Sequence, residues 1–200
     1  LNTHCIGDSA NRTALNYYIE ATKNKKDTRW RIEHAQVVNE ADFGLFSAGN
    51  IIPSVQPSHA TSDMYWAEKR LGSSRMKGAY AYATLLRQTG KLAAGSDFPV
   101  EDINPLYGYY AAVTRRDKSY FPENGFQMKD ALTREEALKA MTIWAAYANF
   151  EEQDKGSLES GKVADFVILG EDLMKVNAEK IVQMKVDATY VNGEKVFDRK

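Results

Sequence analysis

Trp30-Arg31-Ile32-Glu33-His34, then a helical stretch that ends at Gly49, then Asn50-Ile51-Ile52-Pro53-Ser54-Val55: this run sets the α/β class of the chain. Two short apolar segments flank a helix that begins after Asn39 and carries Ala41, Leu45 and Ala48. Gly49 sits where helices favour a glycine after their last turn. The same alternation extends in both directions. Upstream, Leu1 to His4 reads as the end of a strand whose start lies outside the sequence. Gly7-Asp8-Ser9 is a turn, with Asp8 or Ser9 as helix cap, and Leu15, Tyr18, Ile19 and Thr22 follow at helical spacing. Downstream come helical stretches near Met64–Leu71 and Met76–Gln88, the second closed by Gly90, and then the small-residue strand Leu92-Ala93-Ala94-Gly95-Ser96-Asp97. Strand and helix in strict succession imply a parallel sheet with right-handed crossovers. The pattern alone leaves half of an eight-stranded barrel and part of a doubly wound sheet both open.

The second half changes character. Pro105 to about Arg116 reads as a helix, and Asp117 to Asp130 as a polar loop. Thr133-Arg134-Glu135-Glu136 has the form of a capping box, opening a helix expected to bury Ala137, Leu138, Met141, Trp144, Ala145 and Ala148. From Gly156 the chain turns to strands: Ala164–Leu169, Ala188–Val191, an Asn192-Gly193 hairpin turn and Lys195–Phe197.

Composition excludes little but excludes it clearly. With 26 basic and 27 acidic residues the net charge is −1, which gives no electrostatic footing for nucleic acid as a partner. No apolar run approaches the length of a membrane span, so no membrane is expected as partner either. The single cysteine, Cys5, cannot form an intrachain disulfide, and compartment stays open.

The ionisable residues are placed more tellingly. His4, His34, His59 and Asp97 each fall at or just past the C-terminal end of an expected parallel strand. In parallel α/β folds that rim is where active sites are built. All three histidines of the chain lie there. Imidazole is the commonest protein ligand for zinc, and a carboxylate is a frequent companion. Taken singly, each histidine has a plainer reading as a hydrogen-bonded structural residue, and Asp97 as a loop cap; their equivalent placement on successive strands favours a common site. Cys5 lies next to His4, so it should point to the opposite face of the strand and pack in the core.

These motifs resemble a known family. His4-Cys5-Ile6-Gly7-Asp8, Arg31-Ile32-Glu33-His34-Ala35-Gln36 and Gly95-Ser96-Asp97-Phe98-Pro99-Val100 resemble the fifth-, sixth- and eighth-strand motifs of the amidohydrolase superfamily. Ser54-Val55-Gln56-Pro57-Ser58-His59 is similar to the seventh-strand motif of its family 3 branch, which contains N-substituted formamide deformylases. Gly156-Ser157-Leu158-Glu159-Ser160-Gly161-Lys162-Val163-Ala164-Asp165-Phe166 resembles the stretch where such enzymes leave the barrel for a small β-sandwich.

The resemblance implies an α/β fold: residues 1–152 as the C-terminal half of a (β/α)8 barrel and residues 153–200 as part of the sandwich. It implies a hydrolase acting on non-peptide carbon–nitrogen bonds of small amides, formamides or cyclic imides, with a divalent metal, zinc foremost, as one or two ions. His4 and His34 match metal-holding histidines, and Asp97 the aspartate that touches the metal-bound water's side and moves its proton. His59 and Arg75 are the candidates for facing the substrate, with a solvated helix start as the plainer reading of Arg75. The family's first-strand His-x-His pair and fourth-strand lysine or glutamate have no counterpart in the sequence, so the chain alone is expected to be incomplete for activity. A half barrel with open edges is also expected to form homo-oligomers. Two rivals remain: a non-catalytic binding module that keeps the fold, and an unrelated parallel α/β domain in which the rings of His4 and His34 would not meet.

Overall fold

The computed structural model describes residues 1–200. Four strands, β1 (Asn2–Cys5), β2 (Arg31–His34), β3 (Ile52–Val55) and β4 (Ala93–Ala94), form one sheet in the order β1-β2-β3-β4. All three pairings are parallel. In β2 the side chains alternate: Ile32 is buried and Arg31 and Glu33 are half-buried. Helices α1 (Asp8–Thr22), α2 (Phe43–Ala48), α3 (Pro57–Asp63), α4 (Ala67–Met76) and α5 (Tyr82–Thr89) supply the crossovers. Leu15, Ile32, Phe46, Val55, Leu85 and Leu92 join in one core between sheet and helices. This is part of a (β/α) barrel, not a doubly wound sheet.

Several local readings change. Helix α1 is capped by Gly7, with no side-chain hydrogen bond, and Asp8 occupies the first turn, where its charge suits the helix dipole. Asn39 does cap, but it caps a short 3-10 turn that leads into α2. The expected strand Leu92–Asp97 keeps sheet pairing only at Ala93 and Ala94. His59 lies just past the end of β3 but on a helix: Pro57 opens α3, a favoured first helical residue, and His59 lies two residues inside. Helix α4 is interrupted at Gly72 (φ 75°), a backbone angle that glycine adopts without the penalty other residues meet.

After β4 the chain forms α6 (Pro105–Thr114), then α7 (Arg134–Met141) and α8 (Ile143–Ala148). The capping box is present in full: Glu136 N–H donates to Thr133 Oγ1 and Thr133 N–H to Glu136 Oε2. The single helix expected beyond it breaks at Thr142, so the buried set becomes Ala137, Ala140, Ala146 and Ala148, while Leu138 turns outward. Helix α8 closes the N-terminal end of the sheet, where Ile52, Ala93 and Ala148 pack together. Arg31 Nη1 donates to the Ala148 carbonyl (2.7 Å) and Arg29 Nη1 to that of Tyr147 (2.7 Å).

A second, antiparallel sheet holds β5 (Phe166–Leu169), β6 (Val186–Val191) and β7 (Glu194–Asp198). The Asn192-Gly193 turn has φ 52° and 80°, the paired positive angles of the tight hairpin turn expected there. Helix α9 (Ala178–Ile181), capped by Asn177, had no clear signal in the sequence. No helix is long and apolar enough to cross a membrane.

Candidate active site

The sheet register pairs His4 with Glu33 and Cys5 with His34. Paired residues of parallel strands share a face, so regular strand geometry would set the two imidazoles on opposite faces. Backbone conformation prevents this. His34 (φ 73°) and Ala35 (φ 43°) enter the left-handed region, where a non-glycine residue costs about 1–2 kcal/mol. Strand alternation ends there, and the His34 ring lies edge to face on that of His4, with centroids 4.4 Å apart. Strain of this kind persists only where the surroundings enforce it, and it gathers at functional sites. Here the enforcing bonds are visible. Buried Asn11 donates through Nδ2 to the carbonyls of Cys5, Gly7 and Val37, and Val37 N–H donates to the Ile6 carbonyl, so the two strand ends are tied together.

His34 Nδ1 lies 2.8 Å from Gln56 Oε1, an atom that can only accept. In a neutral ring this bond puts the proton on Nδ1 and leaves the Nε2 lone pair free. Gln56 stands at the end of β3, with its own carbonyl accepting from Tyr82 Oη (3.0 Å). His59 stacks on the other side of His34, centroids 5.8 Å apart. The three rings thus form one continuous group at the C-terminal rim. Burial holds the His59 imidazole below its usual pKa; Glu101 and Asp63 work against this, His34 with it, and Asp97 against it. His59 Nε2 is buried without a hydrogen-bond partner, 3.9 Å from Glu101 Oε1.

The other expected residues fall differently. Asp97 is exposed on the loop after β4, with a left-handed backbone (φ 59°), and its charge reaches His59. It does not join His4 and His34 in a closed ligand set, and nowhere do three or more His, Cys, Asp or Glu side chains come together in a metal-holding arrangement. Asp97 lies three residues past β4, at the opposite end of the strand order from β1. Arg75 is exposed in the short helical piece of α4 that follows the break at Gly72. It borders a separate cavity of about 210 Å³ with Asp8, Asn39 and Glu40. Cys5 is 2% exposed and packed in the core, and burial raises its thiol pKa.

Gln56 and Glu101 were not singled out from the sequence. Gln56 stands directly before Pro57 in the quoted motif, and Glu101 four residues beyond Asp97, but neither position carries a signal of what its side chain touches. Glu101 also lines a cavity of about 690 Å³ beside the rim, with Ser58, Ser62, Tyr65 and Arg116 among its walls.

As to a metal, the donor chemistry is suitable but partial. Two imidazoles side by side, one with its outer nitrogen secured by Gln56, fit two positions of a zinc-type donor set and do not fill it.

A portion of a (β/α) barrel with an imidazole group on its C-terminal rim is the class that fold and site define. The chain belongs to the amidohydrolase family, whose family model matches residues 1–197. It is 40% identical over 201 residues to Protein LONG AFTER FAR-RED 3 of Arabidopsis thaliana, covering 97% of this chain and 33% of that protein. It is 25% identical over 207 residues to the N-substituted formamide deformylase of Arthrobacter pascens, covering 100% of this chain and 36% of that protein. In structure it is similar to an uncharacterized metal-dependent hydrolase from Pyrococcus furiosus, with TM-score 0.74 and 33% identity, covering 87% of this chain and 34% of that one. The chain spans about a third of the length of the curated relatives it matches.

Proposed function

We propose that this chain supplies part of the active site of a metal-dependent hydrolase that cleaves carbon–nitrogen bonds in small non-peptide amides, formamides or cyclic imides. The observation that carries this reading is the contact between the His4 and His34 rings, held against strand geometry by a strained backbone. A domain of unrelated ancestry would have no reason to maintain it, and family membership supports the same conclusion. The similarity to an N-substituted formamide deformylase favours the amide class of substrate. We read residues 1–152 as the barrel portion and 153–200 as part of a sandwich.

His4 and His34 would hold a divalent ion, zinc foremost, with further ligands from outside these residues. When bound, such an ion supplies an electrophile and makes water acidic near neutral pH. Asp97 is exposed on the loop after β4, with no salt-bridge partner, where its carboxylate can take a proton from water and return it to the leaving nitrogen. His59, kept neutral by burial, can orient the substrate carbonyl or its nitrogen from the inner side of the group. Gln56 fixes the His34 ring. Replacing Asp97 by Asn in the whole protein should leave fold and metal content intact and abolish amide hydrolysis. Undiminished turnover in that variant would overturn the reading.

A further inference from the structure

We propose that Glu101 is a positioning residue for His59, a role that rests on the hydrolytic reading above. His59 Nε2 is buried and unpartnered, and leaving such a nitrogen unsatisfied costs about 1–3 kcal/mol. The acceptor at hand is Glu101 Oε1, 3.9 Å away, about 1 Å beyond a normal hydrogen bond. Catalytic hydrogen bonds are often long before substrate binds and tighten in the complex. Glu101 is already aimed: Ser62 Oγ donates to the same Oε1 at 2.6 Å. Ser62 lies three residues after His59 on α3, so tether and imidazole share one helix face. The Glu101 side chain is 16% exposed, so most of its surface is packed against protein.

Closing this gap makes His59 Nε2 the protonated nitrogen and leaves the Nδ1 lone pair free. It adds a second bond between α3 and the loop that carries Asp97, beside the one from Ser62. A purely structural Glu101 would only cap its loop through Ser62.

The test uses the whole protein in four forms: wild type, Glu101→Leu, Glu101→Gln and Ser62→Ala. Metal content, kcat, KM and the tautomer of His59 from ¹⁵N shifts in histidine-labelled protein are measured for each. The His59 signal is assigned by its loss in His59→Asn. Glu101→Leu should lower kcat about 10–100-fold with metal content unchanged and KM within about twofold. Glu101→Gln should recover most of the loss, because its amide oxygen still accepts. Wild-type kcat in Glu101→Leu, or equal loss in both variants, overturns the proposal. If Glu101→Leu does not fold, Ser62→Ala decides: a several-fold lower kcat supports the role, and no change refutes it. A wild type without amide hydrolysis would refute the functional reading instead. The tautomer would then judge Glu101 by itself: an Nε2–H form that is lost in Glu101→Leu supports it, and an Nδ1–H form in wild type refutes it.

Discussion

His34 donates its Nδ1 hydrogen to Gln56 Oε1 at 2.8 Å, across the boundary between β2 and β3. This bond decides which nitrogen of His34 is free, and it fixes the ring against rotation toward His4. A ligand ring without such a partner would have to be ordered again at each binding event.

Gln56→Leu should therefore weaken divalent metal binding by the whole protein about 10–100-fold, the usual effect of losing a partner behind a metal-holding histidine. Gln56→Glu should keep affinity near wild type, since a carboxylate accepts at least as well. Competition with a chelator of known affinity measures both. Equal affinity in all three proteins would show that Gln56 has no such role.

The base of the sheet gives a prediction on pH. Arg29 hydrogen-bonds Asp27 and Glu152, donates to the Tyr147 carbonyl and stacks over the rings of Tyr147 and Phe150. The Arg29 hydrogen bonds hold both carboxyl groups below their usual pKa. The folded state therefore binds fewer protons than the unfolded chain across the carboxylate range. The stabilisation is present above the ordinary values, about 3.9 for Asp and 4.3 for Glu, and is lost as pH falls through the lower folded ones. Urea unfolding of wild type and Arg29→Met should differ most at neutral pH, with the gap shrinking as pH is lowered through and below 4. A gap independent of pH would exclude the ion pairs as its source.

Gly78 provides a packing test. A Cβ built on it would lie 1.8 Å from the Val38 carbonyl oxygen, and Val38 N–H already donates to the Gly78 carbonyl at 2.9 Å. Since the obstacle is backbone, Gly78→Ala must separate the segment after α4 from the segment after β2. A loss of about 3 kcal/mol in unfolding free energy is expected. A change below about 0.5 kcal/mol would mean that these two segments are not in contact as described.

The sequence disclosed the alternation of strands and helices because each short apolar segment was bounded by glycine or polar turn residues. It disclosed the rim histidines because strand ends can be located from those boundaries. A common site for His4 and His34 was inferable from their places at successive strand ends, but the left-handed backbone that brings the two rings into contact was not, since no side-chain pattern announces it. Residue spacing placed His59 just past a strand end but did not show the helix it lies on, because Pro57 reads equally well as a turn and as the first residue of a helix. The break at Thr142 was hidden within continuous helical periodicity, whereas the helical stretch read from the sequence already stops at Leu71, directly before Gly72. Gln56 and Glu101 gain their meaning from tertiary contacts across 22 and 39 residues, to His34 and Ser62, and local sequence is silent on such contacts.

The most direct measurement is metal stoichiometry, by elemental mass spectrometry after removal of loose ions, on the whole protein and its His4→Ala and His34→Ala variants. If the paired imidazoles hold one ion, each substitution alone should remove about one equivalent of divalent metal while the fold persists by circular dichroism. Full metal content in either variant would contradict a shared ion between these two rings.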